Sequence, residues 1–459
     1  MVESERIQAL NDKEPRTGQY VLYWMQQSQR AHFNPALEYA IREANRRDLP
    51  VLVAFGLMDD YPEANARHYA FMLEGLREVA RDLHERNIKF VVGKGSPETV
   101  ALKLASRAGL VVCDRGYLRH QKEWRSRLAR EADRAVVQVE GDVVVPLEAA
   151  SDKEEIGART LRPKLHRVWD AYLNSLPAGR VKRKGRSLRI TGDYDAGDPE
   201  GTLARLRVDR SVTPVSRFKG GTSEARRRLE LFLRTGLAGY GTSRNEPADW
   251  QCSLLSPYLH FGQISPVEVA LAVRRSRRGK KADRDSFLEE LIVRRELSMN
   301  FVRFNSKYDS YGCLPGWARK SLDQHRRDTR SPVYTRRQLE SAATHDPYWN
   351  AAMREMVETG FMHNYMRMYW GKKILEWSKT PQTAYRRALY LNNKYFLDGR
   401  DANSYAGVAW CFGLHDRGWT ERQVFGKVRY MNDRGLERKF DMERYIVEVD
   451  ELVDHEHRE

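Results

Sequence analysis

Five of the chain's ten tryptophans, Trp349, Trp370, Trp377, Trp410 and Trp419, lie within one short stretch near its end. Arg367, Trp370, Ile374 and Trp377 recur at helical spacing and share one face. A tryptophan stripe of this kind is by default core packing. Indole is also readily oxidised, so several indoles in one small domain suit the relay of an electron between the surface and a buried redox centre. Other chemistries find little support. His260, His325, His345, His363 and His415 show neither H-x-x-x-H nor H-E-x-x-H spacing, so no metal site is expected. Cys113, Cys252, Cys313 and Cys411 lie far apart with no C-x-x-C pair, which argues against a zinc ribbon, an iron–sulfur cluster and a disulfide framework. There is no nucleophile elbow. Glu289 and Glu290, close before Arg294 and Arg295, read as i,i+4 ion pairs on a helix. What remains is a bound redox cofactor, or no enzyme at all.

The elements that must position these residues divide the chain in two. Its first part alternates apolar runs with amphipathic stretches. Runs at 20–25, 51–57, 90–93, 110–114 and 135–140 have the length and β-branched content of buried strands. Helices are predicted near 34–47, 66–86, 97–107 and 120–132, the third with Ser96 as N-cap, Pro97 in its first turn and Gly109 just past its end. Strand and helix alternating this way predict a doubly wound α/β domain with a parallel sheet over 1–150. No G-x-G-x-x-G and no G-x-x-x-x-G-K-[ST] follows a strand, so a standard NAD or ATP site is not expected. Residues 151–221 read as a basic interdomain linker with short helices; 159–190 holds ten Lys or Arg against one acid, Asp170, most of them expected on a solvated face. From 222 to 459 the periodicity is helical throughout, with a capping box predicted at Ser265 and Glu268. No internal repeat is found.

At 459 residues the chain can build two or three cores, and 41% hydrophobic content excludes global disorder. Its formal charge of +16 points to a polyanion, either nucleic acid or an anionic membrane surface. No apolar run approaches the ~20 residues that span a bilayer. The polar N-terminus is no signal peptide. A soluble, cytoplasmic protein in a reducing compartment is expected.

Four long motifs in order carry a resemblance. Residues 239–266 (GYGTSRNEPADWQCSLLSPYLHFGQISP), 287–301 (FLEELIVRRELSMNF), 344–378 (THDPYWNAAMREMVETGFMHNYMRMYWGKKILEWS) and 389–419 (LYLNNKYFLDGRDANSYAGVAWCFGLHDRGW) resemble the FAD-binding half of the photolyase/cryptochrome family. The spellings MRMYWGKKILEW, GVAWCFG and KVRYMN resemble those of its class II cyclobutane pyrimidine dimer photolyases. The resemblance implies an α/β antenna domain followed by an all-helical FAD-binding catalytic domain. It also implies light-driven repair of dimer-containing DNA by an electron passed from excited FADH⁻ to a flipped-out lesion.

Residue by residue, the resemblance implies that Tyr240 and the turn of Ser253, Leu254, Leu255 and Ser256 bind the FAD phosphates, and that Arg367 and Asp398 form an ion pair beside the isoalloxazine. Asn392 and Asn403 are both candidates for its reactive edge, with Asn392 resembling the class II choice. Glu290 would hydrogen-bond the damaged thymines, Met368 and Trp410 would wall the lesion pocket, and Trp419 would sit in the neighbouring DNA-facing loop. Arg294 departs from the Trp that some class II members carry there. Trp370, Trp349 and Trp377 resemble an electron-transfer chain, from flavin outward. Arg244 and Asn245 would enter the gap left by the lesion, and Arg417, Lys427 and Arg429 would hold phosphates. An antenna chromophore, deazaflavin or folate, is expected or the site is empty; the protein is expected to be a monomer without an obligate protein partner. Rival readings are a cryptochrome-type blue-light sensor, a six-four photoproduct enzyme and a flavin-free basic nucleic-acid binder. Glu290 and Trp410, and the absence of a long low-complexity tail after 439–452, favour the repair enzyme over the sensor.

Overall fold

A computed structural model describes residues 2–249 and 251–458. Six strands form one sheet: β1 (Ile7–Ala9), β2 (Tyr20–Trp24), β3 (Val51–Leu57), β4 (Lys89–Lys94), β5 (Ala108–Asp114) and β6 (Val136–Val139), in the order β1-β6-β5-β2-β3-β4. From β6 to β4 all pairs are parallel, Leu22 lying opposite both Leu52 and Val111. β1 pairs antiparallel to β6, with Ile7 opposite Val139. The sequence conceals this edge strand because it is only three residues long, Ile7, Gln8 and Ala9, and none of them is buried.

Alternate residues of the strands face two helical layers. Val21, Tyr23, Val53 and Val112 pack on α1 (Pro35–Arg46) and α2 (Ala66–Glu85). Tyr20, Leu22, Val111 and Cys113 pack on α3 (Pro97–Ala105) and α4 (Arg119–Glu131). Two local expectations fail. Gly109 is the second residue of β5 and caps nothing; Ser96 Oγ donates to Thr99 Oγ1 at 2.7 Å instead of accepting from a helix amide. The Ser265–Glu268 box does not form either. Ser265 accepts from the Val267 amide, but Glu268 turns to Arg226 at 2.6 Å, because an ion pair outcompetes reaching back to one amide.

The segment 151–221 is laced to both halves. Helix Ala158–Tyr172 buries Leu161 and Leu165 against Phe232 and Val293, while Arg159 and Arg167 on its other side stay exposed. Further on, the amides of Gly185 and Tyr194 donate to Asn87 and Val92, and Arg67 donates to Thr213. The charges face water as expected, yet the backbone beneath them is packed.

The seam between sheet and helices runs through 140–145. Arg6 donates to the carbonyls of Glu140, Val143 and Val144 at 3.2, 3.1 and 2.6 Å. From the opposite side Glu296 accepts from the amides of Val144 and Val145 at 2.6 and 3.2 Å, and Arg295 pairs with Asp142 at 2.8 Å. Burial pushes the Glu296 carboxyl up to about 8 from 4.5, against the pull of those two amides and of Arg295. A carboxyl raised on folding contributes stability below its unfolded value and loses it as pH climbs through the folded one. Glu296→Gln is therefore expected to unfold in urea at nearly the wild-type midpoint at pH 5, and to be roughly 1–3 kcal/mol more stable than wild type at pH 8. An equal difference at both pH values would contradict this.

Candidate active site

Helices Asn364–Glu376, Pro381–Tyr395 and Ala402–Cys411 enclose, with the segments 240–256 and 287–298, a cavity of about 580 Å³. Gly371 lets two of these helices touch: a Cβ there would lie 2.5 Å from the Cys411 sulfur. The long helix from Lys281 to Phe304 is wound as a π-helix over Glu289–Arg294. The wider turn breaks the i,i+4 register, and the expected ion pairs are replaced. Glu289 pairs with Arg162 and Arg294, Arg295 turns to Asp142, and Glu290 points into the cavity and meets Arg244 at 2.6 Å. Arg294, half-exposed, stands at the rim.

Tyr240, Arg244, Asn245, Ser253, Leu254, Leu255, Ser256, Glu290, Arg367, Met368, Trp370, Asn392, Asp398, Asn403 and Trp410 all line this one cavity. Arg367 reaches Asp398 with two parallel bonds, 2.9 and 3.0 Å, and lays its guanidinium 3.9 Å from the Phe396 ring centre. Leu254 takes a left-handed φ of +54°, which turns the chain. The amides of Ser253, Leu255 and Ser256 have no acceptor among the described residues. Asn392 is buried and Asn403 exposed. The orientation of the Asn392 amide is fixed by chemistry. Asn393 must donate its NH₂ to the Glu63 carboxylate and accept from the Arg400 amide at its carbonyl oxygen, so Asn392 can only donate to that same oxygen, at 2.9 Å. Its own Oδ1 is left as an acceptor.

The three tryptophans are all buried and follow one another away from the cavity. Trp370 lines the cavity with its Nε1 buried and unpartnered. Trp349, fully buried, donates from Nε1 to the Trp370 carbonyl at 3.1 Å, and its ring lies 5.6 Å from that of Trp377. Trp419, Arg417, Lys427 and Arg429 lie outside the cavity lining, in a surface loop. Arg429 pairs with Asp416 at 2.9 Å and stacks 4.2 Å from Trp419, which leaves Lys427 and Arg417 as the less encumbered cations.

Sequence reasoning missed several wall residues. Phe361 and Phe396 flank Arg367. His363, lowered to about 4 by burial, is neutral at pH 7, accepts from the Tyr365 amide at Nδ1 and reaches the Arg244 carbonyl through Nε2. His415 is likewise lowered to about 4, with Nε2 buried and unpartnered. Burial pushes the Cys252 thiol up to about 11, so it is no nucleophile. Histidines without metal spacing offer no pattern to find them by. Among the described residues no group of three or more His, Cys, Asp or Glu side chains is arranged for a metal ion, and no helix is long and apolar enough to cross a membrane.

These walls fit a flavin dinucleotide. The free turn amides are donors for a pyrophosphate, the aromatic and aliphatic faces suit a ring system, and the Arg367 guanidinium and Trp370 Nε1 supply positive charge and an unmet donor.

The DNA photolyase family model matches residues 21–181. The deoxyribodipyrimidine photo-lyase of Methanothermobacter thermautotrophicus is 51% identical over 99% of this chain and 100% of its own, and that of Potorous tridactylus is 40% identical over 93% and 80%. In fold the chain is similar to the archaeal photolyase of Sulfolobus tokodaii, whose crystal structure holds two FAD molecules: TM-score 0.68 at 17% identity, over 93% of this chain and 89% of that one. The chain belongs to the DNA photolyase family.

Asp398→Ala leaves the Arg367 guanidinium unpaired. Because 24% of that side chain is exposed, the expected cost in urea unfolding is about 1–3 kcal/mol, less than the ~3–5 of a fully buried pair. A variant as stable as wild type would show that Phe396 and the Met362 carbonyl hold Arg367 unaided.

Proposed function

We propose that this protein is a class II-type deoxyribodipyrimidine photo-lyase, which uses light to reverse cyclobutane pyrimidine dimers in DNA. One observation carries the reading. A single cavity gathers the Arg367–Asp398 pair, the turn amides and Trp370 together with Glu290, Met368 and Trp410, residues drawn from segments as far apart as 240 and 410. When bound, reduced FAD supplies light-driven transfer of one electron to the dimer, and the electron's return after ring opening leaves no net redox change.

The chain's own residues do the rest. The amides of Ser253, Leu255 and Ser256 hold the pyrophosphate, and Arg367 favours an anionic isoalloxazine by its charge. Asn392 Oδ1 offers an acceptor at the flavin edge, a role for which exposed Asn403 is the poorer candidate. Glu290 hydrogen-bonds the flipped lesion, Met368 and Trp410 exclude water around it, and Arg244 and Asn245 follow the gap it leaves. Glu290 and Arg244 pair with one another before DNA arrives, so each presents the other until the lesion separates them. Trp349 and Trp377 continue from Trp370 toward the surface. Lys427, Arg417 and Arg429 meet phosphates.

A second, narrower cleft at the C-terminal ends of β2 and β3 is lined by Tyr61, Tyr117, Trp124, His260 and Arg400. Arg400 is buried there with Nε unpartnered, a donor for an acceptor group of an antenna chromophore, deazaflavin or folate. The same reading assigns the antenna function to 1–150 and flavin binding to 222–459, joined by 151–221. A monomer acting on DNA in the cytoplasm completes it.

Purified protein is expected to absorb visible light with about one FAD per chain, and to remove dimers from irradiated DNA in blue light but not in the dark; equal, absent repair in both would refute the assignment. Glu290→Ala is expected to lower the preference for dimer-containing over intact duplex by about 1–3 kcal/mol in filter-binding titrations, with affinity for intact duplex nearly unchanged. Equal losses on both duplexes would remove Glu290 from the pocket.

A further inference from the structure

Lys372 is fully buried, at 0% exposure, between helices Asn364–Glu376 and Ala402–Cys411. Its ammonium has one acceptor, the Cys411 carbonyl oxygen at 2.6 Å, and no ion pair among the described residues. Asp416, an acid whose charge influences it, is already bound to Arg429. Burial lowers its pKa to about 8, which leaves it an ammonium at neutral pH. Capping one carbonyl does not require this; water or a glycine turn serves most helix ends. The charge has a second neighbour. Lys372 Nζ lies 5.1 Å from the centre of the Trp410 ring, and the Arg429 guanidinium lies 5.4 Å from the same ring. Trp370 lines the same cavity, and among the described residues no cation stands over its ring; its ring partner is Phe396 at 6.4 Å. Lys373 stands 5.5 Å from Trp377, but it is paired with Glu376 at 2.9 Å.

We propose that Lys372, assisted by Arg429, makes the Trp410 indole harder to oxidise than that of Trp370, so that a photoexcited oxidised flavin in the cavity takes its electron from Trp370 and not from the lesion-facing wall. The inference rests on the flavin reading above. Removing one electron from an indole leaves a unit positive charge on the ring. Beside a desolvated ammonium that charge is repelled with little water to screen it. The electron balance is simple: the isoalloxazine gains one electron, the indole loses one, and no bond is made or broken. Trp370 has Trp349 and Trp377 behind it to carry the positive charge away. Lys372 is thus a positioning residue that acts through Trp410 and need not touch flavin or lesion.

The test is the fluorescence lifetime of bound oxidised flavin in DNA-free holoprotein. Trp370→Phe is expected to have a long lifetime, since its easy donor is gone. Adding Lys372→Met should shorten it roughly fivefold or more, and adding Trp410→Phe on top should restore it. Lys372→Arg, which keeps the charge, should leave it long. A K372M lifetime equal to that of the W370F parent, with flavin absorbance intact, overturns the proposal. A preparation without visible flavin absorbance overturns the flavin reading instead, so the two failures are distinct. Should Lys372→Met not accumulate as folded holoprotein, Lys372→Gln carries the test with the same expected and overturning results, because its amide can still donate toward the Cys411 carbonyl but brings no charge to the ring.

Discussion

Arg295 and Glu296 follow directly on the π turn, and the buried Arg295–Asp142 pair together with the desolvated Glu296 carboxyl fastens one helix to the end of the sheet. Desolvated groups of this kind tolerate no slack, since a gap leaves an uncompensated charge in a dry interior. The same helix carries Glu290 into the cavity and Arg294 to its rim. Its depth and rotation are therefore set from the far side, by Val144, Val145 and Asp142 of the α/β half. The π turn reconciles the two demands: a regular helix would aim Glu290 and Glu296 by one rigid period, whereas the wider turn gives each its own direction.

Charge in the cavity is arranged by exposure as well as by sign. Arg367 and Asp398 satisfy one another in the inner wall, while Arg244 and Glu290 do so at the mouth, where about 30% of each side chain meets water. The inner pair is held on two aromatic faces and is costly to break. The outer pair is inexpensive to exchange for other partners. Neutral His363 and His415 fill the space between without adding charge.

Much of this was legible in the sequence for identifiable reasons. Strands β2 to β6 are fully or largely buried, so they read as apolar runs, and the helices keep their 3.6-residue faces. Long motifs in fixed order pointed to the residues that line the cavity. The rest depends on tertiary context. β1 exists only because β6 offers an edge to a three-residue segment too short to announce itself. Glu268 abandons its box because Arg226 comes within reach from another helix. The pairing of Glu289 and Glu290 follows from a π turn that no local pattern announces, and the orientation of Asn392 from Glu63, more than three hundred residues away.

The order in which the cavity walls leave the ribosome has a consequence for cofactor loading. The sheet is complete by Val139, whereas the cavity needs segments from Tyr240 to His415. A nascent chain can close its α/β core early, but it has no binding site until its last wall helix has emerged and docked. Capture of the flavin is therefore a late step that competes with collapse of an open apolar cleft, and ligand present at that moment draws the ensemble toward the native state by mass action. The yield of soluble protein from overexpressing cells should accordingly follow their flavin supply.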